Sequence, residues 1–251
     1  AMARASMGKK GREQSVIRQV DQSLKLKPTG EGYFMRAYAN QALGDYQASI
    51  IDLNNANEIV PFSSSTYNNR GESKRILGDY KGAIADFDKA LKINPRYALA
   101  FVGRGNTKVD LGNRQGALSD YTRAIEIDKY ITVAYINRGN IKDDLGDFQG
   151  AIVDYNKALE IEPGSSLAYF NRGLAMSNSG DYHGAIADYS KAIQINPQDA
   201  RTYNYRGYTK GIGLDDREGA CQDYKKAAVL GYQPRANWLK STDGSWCRNL
   251  R

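Results

Sequence analysis

The sequence has few of the residues on which catalysis and metal binding most often depend. Its 251 residues include only two cysteines and one histidine. Cys221 and Cys247 lack the further Cys or His ligands that a zinc site needs. His183 is expected to be an exposed surface residue. P-loop, nucleophile-elbow and dinucleotide-binding motifs are absent. The sequence therefore predicts no enzyme activity, no catalytic residues, no metal site and no cofactor.

Long apolar stretches are also missing. No window approaches 18 uninterrupted apolar residues, so no membrane span is expected. The first residues, AMARASMGKKGREQ, are basic and lack the apolar run of a secretory signal. We therefore expect a cytoplasmic protein, although a signal already removed would leave no trace in the sequence.

Proline is scarce, and its positions are regular: Pro28, Pro61, Pro95, Pro163, Pro197 and Pro234. Two of these prolines close similar segments, LGDYKGAIADFDKALKINP at 77–95 and LGDFQGAIVDYNKALEIEP at 145–163. A third copy at 111–129 lies midway between them, which sets the interval at 34 residues. One aspartate marks the phase of each copy: Asp52, Asp86, Asp120, Asp154, Asp188 and Asp223. The chain is therefore built from an internal repeat.

One copy, residues 64–97, shows what each repeat is expected to form. Two helical segments are predicted, about 65–77 and 81–93. In the second one, Ala83, Ile84, Phe87, Ala90 and Leu91 recur with helical spacing. Gly78 can end the first helix in a left-handed conformation, and Asp79 suits the N-terminus of the second. A proline then stops the second helix, because the residue before it is pushed out of the helical region. Each repeat is predicted to be a helix–turn–helix unit.

Small and aromatic residues keep the same phase. The first helices carry a glycine in mid-helix: Gly71, Gly105, Gly139, Gly173 and Gly207. Because glycine destabilises a helix interior, its return implies that two helices approach closely. We expect alanines of the second helices to be the partners: Ala83, Ala117, Ala151, Ala185 and Ala220. Aromatic residues recur in both helices and are expected to fill the wider spaces.

This pattern resembles the tetratricopeptide repeat (TPR) family. The resemblance implies an all-α fold, an α-solenoid in which tandem helix–turn–helix units form a right-handed superhelix whose concave face is lined by first helices. We expect six repeats, the last similar to the Sel-like members: 30–63, 64–97, 98–131, 132–165, 166–199 and 200–234. Residues 1–12 are expected to form a flexible basic tail, residues 13–29 a half-repeat helix and residues 235–251 a C-terminal cap.

The resemblance also implies a binding groove. Asparagines on its first helices hold the backbone of a peptide in some members of the family, since an amide donates and accepts at once. An alternative left open is that these asparagines bond only to neighbouring helices. The predicted groove residues are Asn69, Asn137, Asn171, Asn106, Asn140, Phe34, Tyr38, Phe170, Tyr205 and Tyr208.

The expected function is a non-catalytic scaffold that binds an extended or helical segment of another protein, as in the assembly of a larger complex. A chaperone-tail clamp is not expected, because no copy has the clamp's first-helix lysine. That position holds Phe34, Asn68, Val102, Ile136, Phe170 and Asn204.

Two alternatives remain: an RNA-binding solenoid and a self-assembling one, so a homo-oligomer stays open. An arginine recurs at one position in all six copies, directly before the repeated glycine or, in the first copy, before Ala37. These arginines are Arg36, Arg70, Arg104, Arg138, Arg172 and Arg206. Regular cations could bind phosphates. Because the aspartates repeat in step with them, we expect internal ion pairs instead, and nucleic-acid binding is not expected.

The two cysteines allow two interpretations. Cys221 occupies a position that is Ile or Leu in the five other repeats, so we expect a buried free thiol. A disulfide with Cys247 is the alternative.

Overall fold

The computed structural model describes residues 2–249, with side chains described for residues 11–248. This range contains fifteen helices and no strand. Contacts divide the chain into two units, one ending at Lys129 and the other beginning at Tyr130. None of the described helices is long and apolar enough to cross a membrane.

The first unit is a long helix followed by three helical hairpins. Its elements are α1 (Met2–Leu26), α2 (Gly30–Leu43), α3 (Tyr46–Ile59), α4 (Ser64–Ile76), α5 (Tyr80–Ile93), α6 (Ala98–Asp110) and α7 (Arg114–Ile127). α1 packs on α2, and each hairpin packs on the next through α3 on α4 and α5 on α6. Because α1 begins at Met2, helix extends into the segment 1–12 that was expected to be a tail.

The second unit is three hairpins followed by two short helices. Its elements are α8 (Thr132–Asp144), α9 (Phe148–Ile161), α10 (Ser166–Asn178), α11 (Tyr182–Ile195), α12 (Ala200–Gly213), α13 (Arg217–Val229), α14 (Gln233–Lys240) and α15 (Ser245–Asn249). In both units the first helices of neighbouring hairpins contact one another, α2 with α4 and α4 with α6, then α8 with α10 and α10 with α12. We call the exposed side of these helices the first-helix surface. The predicted all-α repeat fold is confirmed.

The turns follow the repeated sequence closely. Gly78 adopts a left-handed conformation (φ 85°), and the side chain of Asp79 accepts a hydrogen bond from the Gly82 N–H at 2.9 Å. Gly146 and Asp147 repeat the arrangement between α8 and α9, with φ 81° and a hydrogen bond of 2.9 Å to Gly150. Glycine therefore ends each of these first helices, and aspartate caps the next.

The mid-helix glycines face aromatic rings. A Cβ added to Gly105 would lie 2.7 Å from the ring of Tyr121, and one added to Gly139 would lie 2.7 Å from the ring of Tyr155. For these two glycines the nearest atoms belong to the buried rings and not to the expected alanine partners. Alanine contributes through its backbone: the Ala83 carbonyl oxygen lies 3.2 Å from a Cβ built on Gly71.

The predicted arginine–aspartate pairs are present in every hairpin. The Nε and Nη2 atoms of each arginine donate to the two carboxylate oxygens of one buried aspartate: Arg36–Asp52, Arg70–Asp86, Arg104–Asp120, Arg138–Asp154, Arg172–Asp188 and Arg206–Asp223. The Nη1 atom can reach the preceding hairpin, as in the 2.6 Å bond from Arg172 to Asn156. We call this set the arginine ladder; it links helices within and between hairpins.

The two cysteines form a disulfide between α13 and α15, with their Cα atoms 5.4 Å apart. The expectation of a free thiol at Cys221 was therefore wrong. The prediction that the Cys221 side chain is buried was correct, because its position within the repeat is an inward-facing one. Cys247 lies outside the repeats, so the phase carried no information about its position.

Candidate functional site

Two asparagines and a tyrosine form a connected group on the first-helix surface of the second unit. Asn171 on α10 donates its side-chain N–H to Asn140 Oδ1 on α8 at 2.9 Å. The hydroxyl of Tyr155, which projects from α9, donates to the same oxygen at 2.8 Å. Tyr155 is buried in the hairpin, so it holds the Asn140 amide in one orientation. We call Asn140 and Asn171 the asparagine pair.

The asparagine pair keeps one donor and one acceptor available. With Asn140 Oδ1 accepting two hydrogen bonds, its Nδ2 group still donates, and Asn171 Oδ1 still accepts. Across residues 11–248 neither of these two groups has a protein partner. The two roles considered for these asparagines, binding a peptide and bonding to a neighbouring helix, are therefore compatible here. The hydrogen bond between α10 and α8 orients Asn140 Nδ2 and Asn171 Oδ1, which stay available.

The remaining predicted asparagines lie in different surroundings. Asn106 on α6 accepts from the Tyr121 hydroxyl at 2.7 Å, which repeats the contact between Tyr155 and Asn140. The Asn69 side chain accepts from Asn68 at 3.3 Å. Asn137 on α8 is half-buried. The sequence did not single out the tyrosine hydroxyls. The sequence could have indicated this contact, since Tyr121 and Tyr155 occur in the two repeats that have an asparagine directly after the mid-helix glycine.

The predicted aromatic residues divide into exposed and buried ones. Tyr38 and Tyr208 are 62% and 50% exposed, and Phe34 and Tyr205 are half-buried. Phe170 is only 7% exposed, and its ring packs edge-on against Tyr205 with centroids 5.3 Å apart. Phe170 therefore supports Tyr205 and offers little surface of its own.

The first-helix surface carries acidic groups in both units. In the first unit Arg75 bridges Glu72 and Asp110 at 2.7 and 2.9 Å, so both carboxylates are compensated. In the second unit Asp143 on α8 accepts only from the Asn178 amide, at 3.3 Å, and makes no ion pair within the described residues. Burial raises the pKa of the Asp143 carboxyl, and the neighbouring Asp144 raises it further. A cation on a partner would relieve this charge.

Sequence models of one family match several repeats of the chain. Tetratricopeptide repeat models match residues 64–97 and 132–165, 154–187, and 30–61, and a TPR repeat model matches 178–211. Together these matches span more than half of the chain. The chain belongs to the tetratricopeptide repeat family. The number of repeats and the Sel-like character of the last one stay predictions.

Solved structures of TPR proteins have a fold similar to that of this TPR protein. MamA is 28% identical to it, with a TM-score of 0.60 over 66% of this chain and 96% of MamA. A TPR protein from Parabacteroides merdae is 22% identical, with a TM-score of 0.67 over 92% of both chains. YrrB, described as a TPR protein with an unusual peptide-binding site, is 20% identical, with a TM-score of 0.61 over 75% of this chain and 98% of YrrB. The last two similarities show the fold alone. No curated protein matches the sequence.

The described part of the TPR protein contains no cluster of side chains that could form a metal centre. No three or more His, Cys, Asp or Glu side chains there are placed to hold a metal ion. His183 is exposed, as expected. The chemistry that the first-helix surface can perform is hydrogen bonding and charge pairing with a partner.

Proposed function

We propose that this TPR protein is a non-catalytic scaffold that binds an extended segment of another protein on the first-helix surface of the second unit. The asparagine pair is the observation that carries the proposal. An extended peptide unit presents one N–H donor and one C=O acceptor. Asn171 Oδ1 and Asn140 Nδ2 offer the complementary acceptor and donor. Because Tyr155 already orients them, little side-chain freedom is lost on binding.

Charge on the same surface favours a basic segment. Asp143 lies three residues, or almost one turn, after Asn140 on α8. Its carboxylate has no cationic partner among the described residues. A lysine or arginine next to the peptide unit held by the asparagine pair would compensate this charge. The half-buried Tyr205 and the exposed Tyr208 add apolar contact area on α12.

The arginine ladder supports protein binding over RNA binding. Each ladder arginine donates two hydrogen bonds to a buried aspartate, so these groups are already used within the fold. A phosphate would have to compete with a bidentate carboxylate. The peptide-binding site named for YrrB belongs to that protein.

A peptide-display selection against the whole chain tests the proposal. We expect extended peptides with a lysine or arginine, whose affinity falls about tenfold or more when Asn140 and Asn171 are both replaced by alanine. Asp143→Asn should weaken the same peptides by a smaller factor, and this effect should shrink as salt rises. Circular dichroism must show that the variants stay folded.

A matched control lies on the opposite helix of the same hairpin. Lys157 and Glu160 on α9 form an exposed ion pair at 2.6 Å. Replacing both by alanine should leave peptide affinity unchanged. If the control variant loses affinity as the asparagine variant does, or if neither loses it, the proposed surface is wrong.

The cytoplasmic location expected from the sequence remains a prediction. The disulfide favours an oxidising compartment, since structural disulfides are rare in cytosolic proteins. Alkylation of thiols in intact cells, followed by mass spectrometry of Cys221 and Cys247, distinguishes the two.

A further inference from the structure

A cavity of about 550 Å³ opens in the second unit between α12, α13, α14 and α15. Its lining includes Tyr208, Ile212, Tyr224, Arg235, Trp238 and Trp246. The ring of Trp238 meets Tyr224 edge-on at 5.4 Å and Trp246 at 5.9 Å between centroids, so three rings form one continuous wall. A cavity of this size with mostly apolar walls is typical of small-molecule sites, which span about 300–1,000 Å³.

Arg235 is the polar group that distinguishes this cavity. The arginine is half-buried, with its guanidinium carbon 3.6 Å from the centre of the Tyr224 ring and 4.8 Å from that of Trp238. Its Nε donates to Asn204 Oδ1 at 2.9 Å. Whereas every ladder arginine has an aspartate, Arg235 has no carboxylate partner in the described part of the chain. Burial accordingly lowers the pKa of its guanidinium.

The lining contains cations and no acid. Arg217, which is exposed, is the second cation there, and it pairs with Asp215 at 3.3 Å outside the lining. Within the described residues, the Nη groups of Arg235 make no hydrogen bond that an acidic side chain accepts. A planar guanidinium stacked on a ring suits a ligand carboxylate, which can take two parallel hydrogen bonds.

We propose that this cavity, the cap pocket, binds a small carboxylic acid with an aromatic or branched apolar body. The carboxylate pairs with Arg235, and the body lies against Trp238, Trp246 and Ile212. Binding compensates a partly desolvated cation and covers the exposed Ile212 side chain. The proposal is independent of the asparagine pair and of the peptide that it would hold.

The tryptophans supply a direct test, because Trp238 and Trp246 are the only two in the chain. Tryptophan fluorescence of the whole protein is titrated with N-acetyl-L-phenylalanine. Two matched probes accompany it: N-acetyl-L-phenylalaninamide keeps the ring without the charge, and N-acetyl-L-alanine keeps the charge without the ring. We expect a saturable change with the first probe and binding at least about tenfold weaker for the other two. Equal affinity of the acid and its amide would overturn the proposal.

Variants separate Arg235 from the general positive charge of the pocket. Arg235→Gln should weaken N-acetyl-L-phenylalanine at least about tenfold, and Arg235→Lys, which keeps the charge and loses the planar fork, by a smaller factor. Arg217→Gln, at an exposed cation, should change affinity by less than about threefold. If Arg235→Gln does not fold, the comparison of the acid with the amide in the wild type still decides.

Three further results test the independence of the pocket and the class of its ligand. The asparagine-pair variant should bind the probe as the wild type does, and a parallel loss would mean that the two surfaces are not independent. If phenyl phosphate binds more tightly than N-acetyl-L-phenylalanine, the ligand is a phosphate ester and not a carboxylic acid. A peptide ending in phenylalanine that binds at least tenfold more tightly than the free acid would assign the pocket to chain ends.

Discussion

Asn57 is a polar residue at a position that is apolar in other repeats. The same phase holds Leu91, Ile125, Leu159 and Ile193. Both polar atoms of the Asn57 side chain are buried and have no hydrogen-bond partner in the described chain. Leaving such groups unpaired costs free energy, so Asn57 weakens the first hairpin.

Replacing Asn57 by leucine should therefore stabilise the protein. We expect the free energy of unfolding to rise by about 1–2 kcal/mol, measured by urea denaturation. Asn57→Asp, which keeps the shape and adds a charge, should lower it. A leucine variant that is less stable than the wild type would show that the asparagine is needed where it lies.

The ladder contains a natural comparison between two arginines. Arg70 and Arg172 each bind one buried aspartate and one asparagine of the preceding hairpin, Asn54 and Asn156. Asp86 also pairs with Lys74 at 2.7 Å, whereas Met176 stands at the corresponding position beside Asp188. Arg172 is thus the only cation that pairs with Asp188 among the described residues.

Removing the charge should cost more at Arg172 than at Arg70. We expect Arg172→Gln to lower the free energy of unfolding by about 3 kcal/mol, because it leaves a buried carboxylate without a cation. Arg70→Gln should cost about half as much, since Lys74 remains. Denaturant titrations of both variants give the comparison, and Lys74→Met should remove the difference. Equal losses in the two single variants would contradict this account.

At the scale of helices, the close approach of Gly139 to Tyr155 connects packing with the asparagine pair. Alanine is the better helix former by about 0.5–1 kcal/mol. A Cβ at position 139 would lie 2.7 Å from the buried Tyr155 ring, whose hydroxyl orients Asn140. The ring has to move, and its hydrogen bond to Asn140 moves with it.

Gly139→Ala should therefore lower stability by about 1–2 kcal/mol and also weaken binding of the selected peptides. Gly11 in α1 serves as the control, because a Cβ there meets no atom within 4 Å. Gly11→Ala should leave stability unchanged or raise it slightly. If Gly139→Ala is as stable as the wild type, the Tyr155 ring does not require a glycine at position 139, and the explanation is wrong.

The sequence predicted the helices and the ladder well because both depend on signals that repeat. Gly78 and Asp79 mark a turn locally, and Arg70 and Asp86 keep one phase through every copy. The hydroxyl of Tyr155 and the orientation of Asn140 depend on distances between helices, which the phase does not report. The cap pocket lies partly outside the repeats, so no comparison among copies could indicate the role of Arg235.

At the scale of the whole molecule, the helices that follow the last hairpin are held in a different way from the helix that precedes the first hairpin. In repeat proteins each unit is stabilised by contacts with its neighbours. At the N-terminal end α1 packs on α2 through noncovalent contacts. At the C-terminal end α14 packs on α13, and the disulfide joins α13 to α15 across 26 residues. The cap pocket lies within this closed segment.

Reduction of the disulfide should loosen the C-terminal end and leave the N-terminal end unchanged. Cross-linking a loop of this length contributes about 3.5 kcal/mol through the unfolded chain. We therefore expect faster hydrogen exchange in α12–α15 after reduction and unchanged exchange in α2–α5. Replacing both Cys221 and Cys247 by serine should have the same effect without reductant, and N-acetyl-L-phenylalanine should then bind more weakly. Exchange that rises equally at both ends would contradict a local role, because the disulfide would then stabilise the chain as one cooperative unit.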